Sequence, residues 1–103
     1  MCTYLTERVA MAARAKGTPE WLKVTDASVY FDHPADLPAE HSLNIDLLAP
    51  AEGPSARVAV ELDAAAALGL ARAVLEMLAS APEGLLPNEV ASAARAHLAG
   101  AAR

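Results

Sequence analysis

A single cysteine, only four aromatic residues and no apolar run of membrane-spanning length limit what this chain can be. Lone Cys2 leaves no internal disulfide, so the fold must rest on its core. No stretch approaches the roughly 20 consecutive apolar residues that cross a bilayer, and no membrane partner is expected. The start, Met1-Cys2-Thr3-Tyr4, lacks the basic region and apolar stretch of a signal peptide, so the cytoplasm is the expected location. Positive charge is scarce too: 8 Lys and Arg stand against 13 Asp and Glu, for a net charge of −5. These cations are scattered from Arg8 to Arg103 without a stripe. That argues against nucleic acid, whose phosphates require clustered Lys and Arg. A glycine-rich phosphate loop, a nucleophile elbow and a paired-cysteine zinc motif are all missing.

What remains is a chain of 103 residues, enough for one core. Apolar residues make up 54% of it, yet many are alanine, so large core formers are few. Thr3 to Met11 reads as a strand, with Leu5, Val9 and Met11 on one parity, and Arg14 to Glu20 reads as a connection. From Trp21 to Asp32, Ala27, Val29 and Phe31 alternate with Asp26, Ser28, Tyr30 and Asp32. The stretch from Ser42 to Leu48 sets Leu43, Ile45 and Leu47 against Ser42, Asn44 and Asp46. Ala56 to Leu62 alternates again, with Val58, Val60 and Leu62 opposite Arg57 and Glu61. Between the last two lies a turn region with Pro50, Gly53 and Pro54.

Beyond Asp63 the period changes to that of a helix, running to about Ser80, with Leu68, Ala71, Leu75 and Leu78 as one stripe and Leu70, Val74 and Met77 as its neighbour. Pro82 and Gly84 end it, and a weaker helix runs from about Asn88 to Leu98. Short connections favour an antiparallel meander. The expected fold is therefore α+β: a four-stranded meander covered on one face by a helix, over residues 1–81, with a helical extension over 82–103. Open sheet edges in so short a chain predict a homo-oligomer.

The other sheet face would carry Tyr30, Asp32, Asn44, Asp46 and Arg57, and of these Asn44 and Asp46 are residue types that strands usually avoid. It reads either as a solvated face with ion pairs such as Arg57 with Asp46, or as the wall of a site for a small polar ligand. Beside it, the segment from Tyr30 to Leu48 holds His33 and His41, eight residues apart in a proline-containing connection. Together with Cys2 these supply soft or borderline donors suited to zinc, copper or iron, with Asp32, Asp36 or Glu40 as an oxygen ligand or orienting partner. The spacing matches no established metal motif. A structural reading competes with it: the Asp32 carboxylate caps the turn and Pro34 holds His33 extended.

The blocks MCTY, VYFDHP, AEHSLNID and GPSARVAVEL, taken in that order, resemble a family of small actinobacterial proteins of unknown function. The resemblance covers about residues 1–78 and implies no activity. That family's pattern includes a further histidine near the position of Asp36, which this chain lacks, so a ligand there would mean a modified site here.

Three functions follow as expectations. One is a binding domain that holds a metal ion or small polar ligand at the His33–His41 connection and the polar sheet face. Another is a small enzyme using Cys2, His33 and His41 for metal-assisted or acid–base chemistry. The third is an accessory module that acts through a protein partner.

Overall fold

Residue alternation of period two yields four strands in the computed structural model, which describes residues 6–16 and 20–101. They are β1 (Thr6–Lys16), β2 (Trp21–Asp32), β3 (Ser42–Leu48) and β4 (Arg57–Leu62), in spatial order β1-β2-β3-β4 with every neighbouring pair antiparallel. Two helices follow, α1 (Ala64–Ala79) and α2 (Asn88–Ala101). The class is α+β, and the sheet is the meander that the short connections require.

Register carries the alternation across all four strands. Val9, Ala27, Leu47 and Val58 form one row, and Glu7, Val29, Ile45 and Val60 the next. On the opposite face Arg8, Ser28, Asp46 and Ala59 form a row, beside Thr6, Tyr30, Asn44 and Glu61. A slip of one residue would exchange the two sets, so the apolar pattern fixes the pairing.

β1 is where the structure departs from the expected boundaries. Arg14 to Lys16 is strand rather than connection, pairing with Trp21 to Lys23. The reason is a β-bulge: Ala10 faces Asp26, but Ala13 faces Val24, so Met11 and Ala12 share a single partner position at Thr25. The extra residue shifts the parity of β1, which then continues as a two-stranded ribbon with the start of β2.

The polar face is not simply solvated. Ser28, Asn44 and Asp46 are 8%, 9% and 8% exposed, and Ser42 only 2%. Over Asp46 two longer side chains converge, since both Tyr30 and Arg57 reach across to it. By contrast Val9, Phe31 and Val60 on the apolar face remain exposed. The apolar core of this part of the chain is small, with Val24, Ala27 and Ala49 buried.

Between β3 and β4 the chain makes a 3-10 turn at Pro50–Glu52, closed by Gly53, whose φ of 110° suits a residue without Cβ. The turn is tied to β2, because the Lys23 amide donates to the Glu52 carboxylate at 2.8 Å.

Contacts divide the chain into two compact units, Met1–Ala64 and Ala65–Arg103. In the second, α1 carries only Arg72 and Glu76 as charges among sixteen residues, and none of its residues is fully buried. The Arg95 guanidinium of α2 donates to the Ala79 carbonyl at the end of α1, at 3.1 Å, satisfying one of the acceptors a helix terminus leaves open. Ala94 is buried, and Gly84 takes a φ of 88° in the connecting turn.

Candidate functional site

The connection from His33 to His41 has no regular structure of its own, and what fixes it is a carboxylate from another strand. Glu61, near the end of β4, accepts hydrogen bonds from three successive backbone amides: Ala35 at 2.6 Å, Asp36 at 3.0 Å and Leu37 at 3.0 Å. Three N–H donors on one carboxylate favour its charged form, so these bonds hold the Glu61 pKa below its ordinary value. The same bonds satisfy amides that a loop would otherwise leave to water.

Both ends of the loop are fixed locally as well. The Asp32 carboxylate accepts from the His33 amide at 2.7 Å, the turn cap that the Asp-His-Pro order suggests. Across the loop, His33 Nδ1 lies 3.0 Å from the Glu40 carbonyl oxygen. As a result the two imidazoles stack, with ring centroids 5.1 Å apart and planes 28° from parallel. Both histidines are exposed.

The tautomer of His33 follows from this contact. A carbonyl oxygen only accepts, so Nδ1 must carry the proton, and in the neutral ring Nε2 keeps its lone pair. Metal-bound histidines characteristically have this arrangement, with the second ring nitrogen donating to a carbonyl. The wider donor set does not assemble. Among the described residues no group of three or more His, Cys, Asp and Glu could hold a metal ion, so Asp32, Asp36 and Glu40 do not complete a shell around the histidine pair. Cys2, the third soft donor the sequence offers, lies outside the described residues, as does Tyr4.

The polar face forms a second, largely closed network. The Tyr30 hydroxyl donates to Asp46 Oδ2 at 2.9 Å, and the same oxygen accepts from Arg57 Nη1 at 3.2 Å. The Ser42 hydroxyl donates to Asn44 Oδ1 at 2.5 Å. A hydrogen bond with Asn44 favours the Tyr30 phenolate, but burial together with the hydrogen bond and charge of Asp46 outweighs it. Arg57 opposes them only weakly, and the phenol sits above its ordinary pKa. Toward the sheet edge, Arg8 and Asp26 pair at 3.3 Å, an exposed contact that contributes little. Tyr30, Asn44, Asp46 and Arg57 are thus brought together, and among the described residues no buried side-chain polar atom lacks a partner.

A family model described as "Family of unknown function (DUF6295)" matches residues 1–87. The chain belongs to this family. Neither a curated protein nor a solved structure matches it. The DUF6295 match runs past the residues that carried the resemblance, through the whole sheet, α1 and the turn before α2. His33, His41, Glu61 and the Tyr30–Asp46–Arg57 network all fall inside the DUF6295 region, and α2 falls outside it.

Sequence reasoning passes over Glu61 as a site residue. Alternation assigns it to the polar face, but nothing in the spacing shows that residues 35–37 turn back onto β4. The one available signal is its row position, since Glu61 pairs with Asn44 at the end of the sheet where the loop begins.

Proposed function

We propose that this DUF6295 chain is a small cytoplasmic binding module whose His33 and His41 imidazoles take a borderline transition-metal ion, zinc or copper. The observation that carries the reading is the hydrogen bond from His33 Nδ1 to the Glu40 carbonyl, which presets one ring for ligation through Nε2, beside a second imidazole stacked at 5.1 Å that must turn out of the stack to reach the same ion. Pre-ordering matters because a loop that must be organised on binding loses affinity to conformational entropy, and here Glu61 already holds the backbone of residues 35–37, which leaves the turn of the His41 ring as the ordering cost. Two imidazoles leave coordination positions for water, an exogenous polar ligand, Cys2 or a donor from a second copy.

Calorimetric titration of the untagged full chain with zinc and with copper(II) chloride tests this. One saturable site per chain, or per pair of chains, is expected, lost in His33→Ala and in His41→Ala with the circular dichroism spectrum retained. A chain that takes up neither metal at neutral pH contradicts the reading.

Self-association belongs to the same proposal. Leu70, Val74 and Met77 recur at i, i+4 and i+7 on α1 and are 49%, 51% and 74% exposed, a stripe of the kind that helices bury against a partner. Light scattering should give a multiple of 10.7 kDa, reduced by Met77→Glu. A monomer mass over a wide concentration range contradicts it.

A further inference from the structure

The bulge in β1 opens a second, separate feature far along the sheet from the histidine loop. Where Met11 and Ala12 face the single position Thr25, the ribbon leaves a solvent-open cavity of about 380 Å³. That lies within the range of about 300–1,000 Å³ typical of small-molecule pockets. Met11 and Ala12 supply apolar surface at the bulge, Val24 being fully buried, and Arg14 and Lys23 add two cations.

The placement of those cations works against the fold. Arg14 and Lys23 are direct cross-strand partners, and directly opposed side chains have Cβ atoms about 4.5–5.5 Å apart. Like charges in that position repel, and both side chains are exposed. Neither takes part in an ion pair among the described residues, where Asp26 pairs with Arg8 and Asp46 with Arg57. The only carboxylate described at Lys23 is that of Glu52, and it is engaged by the backbone amide rather than by the ammonium. A chain of net charge −5 thus sets two cations without ion-pair partners side by side, next to the apolar surface of the bulge.

We propose that the bulge pocket binds an amphiphilic organic anion, with its carboxylate between Arg14 and Lys23 and its hydrocarbon portion against Met11 and Ala12 at the bulge. The anion removes the Arg14–Lys23 repulsion, and the guanidinium offers the planar two-donor fork that carboxylates accept. The apolar lining selects against small hydrated anions, which gain nothing from it. This site is independent of the histidine pair and survives the failure of the metal reading.

Amide-resolved NMR titration of the full chain with sodium octanoate tests the proposal, with octanol and octylammonium chloride as controls. Octanoate should shift the amides of residues 11–14 and 23–25, and octanol should bind at least about tenfold more weakly, the equivalent of about 1.4 kcal/mol. Octylammonium should leave those amides in place. The double variant Arg14→Gln/Lys23→Gln should weaken octanoate by about tenfold or more while thermal stability holds or rises, since a repulsion has been removed. Ala12→Leu, which fills the pocket and keeps both cations, should weaken octanoate as well. Equal binding of octanol, shifts confined to other parts of the chain, or undiminished octanoate binding by both variants would overturn the proposal.

Discussion

Replacing Asp46 by Ala probes whether the polar sheet face is a built network or a set of incidental contacts. The Asp46 side chain is 11% exposed and accepts both the Tyr30 hydroxyl at 2.9 Å and the Arg57 guanidinium at 3.2 Å. A hydrogen bond to an ionised acceptor contributes about 1.5–3 kcal/mol. Arg57 is half exposed, so after truncation it returns to water, and its share is that of a surface pair, about 0–1 kcal/mol. Removing the carboxylate also relieves its own desolvation cost, which trims the total. The expected loss is therefore about 2 kcal/mol, most of it from the Tyr30 hydroxyl left without its acceptor. For a unit of this size that corresponds to a fall in Tm of about 8–16 °C. Urea denaturation followed by circular dichroism should show a lower midpoint at unchanged slope. A double-mutant cycle with Tyr30→Phe should return a coupling of about 1–2 kcal/mol. A loss below about 0.5 kcal/mol, the usual range for surface substitutions, with no coupling would refute the network.

Further outcomes follow from the same contacts. Folding favours the neutral Tyr30 phenol, so its stabilising contribution is complete below the ordinary tyrosine value of about 10 and is lost as pH rises through the higher folded value. Absorbance at 295 nm should show one tyrosine ionising late, and Asp46→Asn should bring it earlier. A late tyrosine unaffected by Asp46→Asn would remove that carboxylate as the cause. For Glu61 the sign is opposite: the fold holds the carboxylate charged, so its contribution is present above about 4.3 and is lost as pH falls through the lower folded value. The Ala35, Asp36 and Leu37 amide resonances should therefore keep their positions on acidification until below the ordinary carboxylate range, and movement with the bulk carboxylates would contradict this. In the helical unit, Ala94→Leu adds bulk at a buried position and should cost about 1–3 kcal/mol, whereas a neutral result would mean that room remains there.

β2, β3 and the α1 region were legible in the sequence because each carries a strong, uninterrupted period. Val29 and Phe31 alternate with Ser28 and Tyr30, Ile45 and Leu47 with Asn44 and Asp46, and Leu68, Leu75 and Leu78 recur at helical spacing. The second half of β1 was not legible. Alanines at 10, 12, 13 and 15 have side chains too small to mark a face, and a bulge shifts the parity without changing composition. The histidine pair could be picked out by residue type, but its organisation could not, because the Glu61 carboxylate that orders the loop comes from about 25 residues further along the chain. Burial of the polar face was hidden for a related reason. The short Asp46 side chain looks solvated until Tyr30 and Arg57 are seen to reach over it.

Whether His33 is held ready for ligation through Nε2 is read directly by imidazole nitrogen-15 NMR of the chain at neutral pH. In the metal-free protein His33 should be Nδ1-protonated, fixed by the Glu40 carbonyl, with an Nε2 resonance that moves when one equivalent of zinc is added while Nδ1 stays protonated. An Nε2-protonated tautomer, or an Nε2 resonance indifferent to zinc, would contradict it.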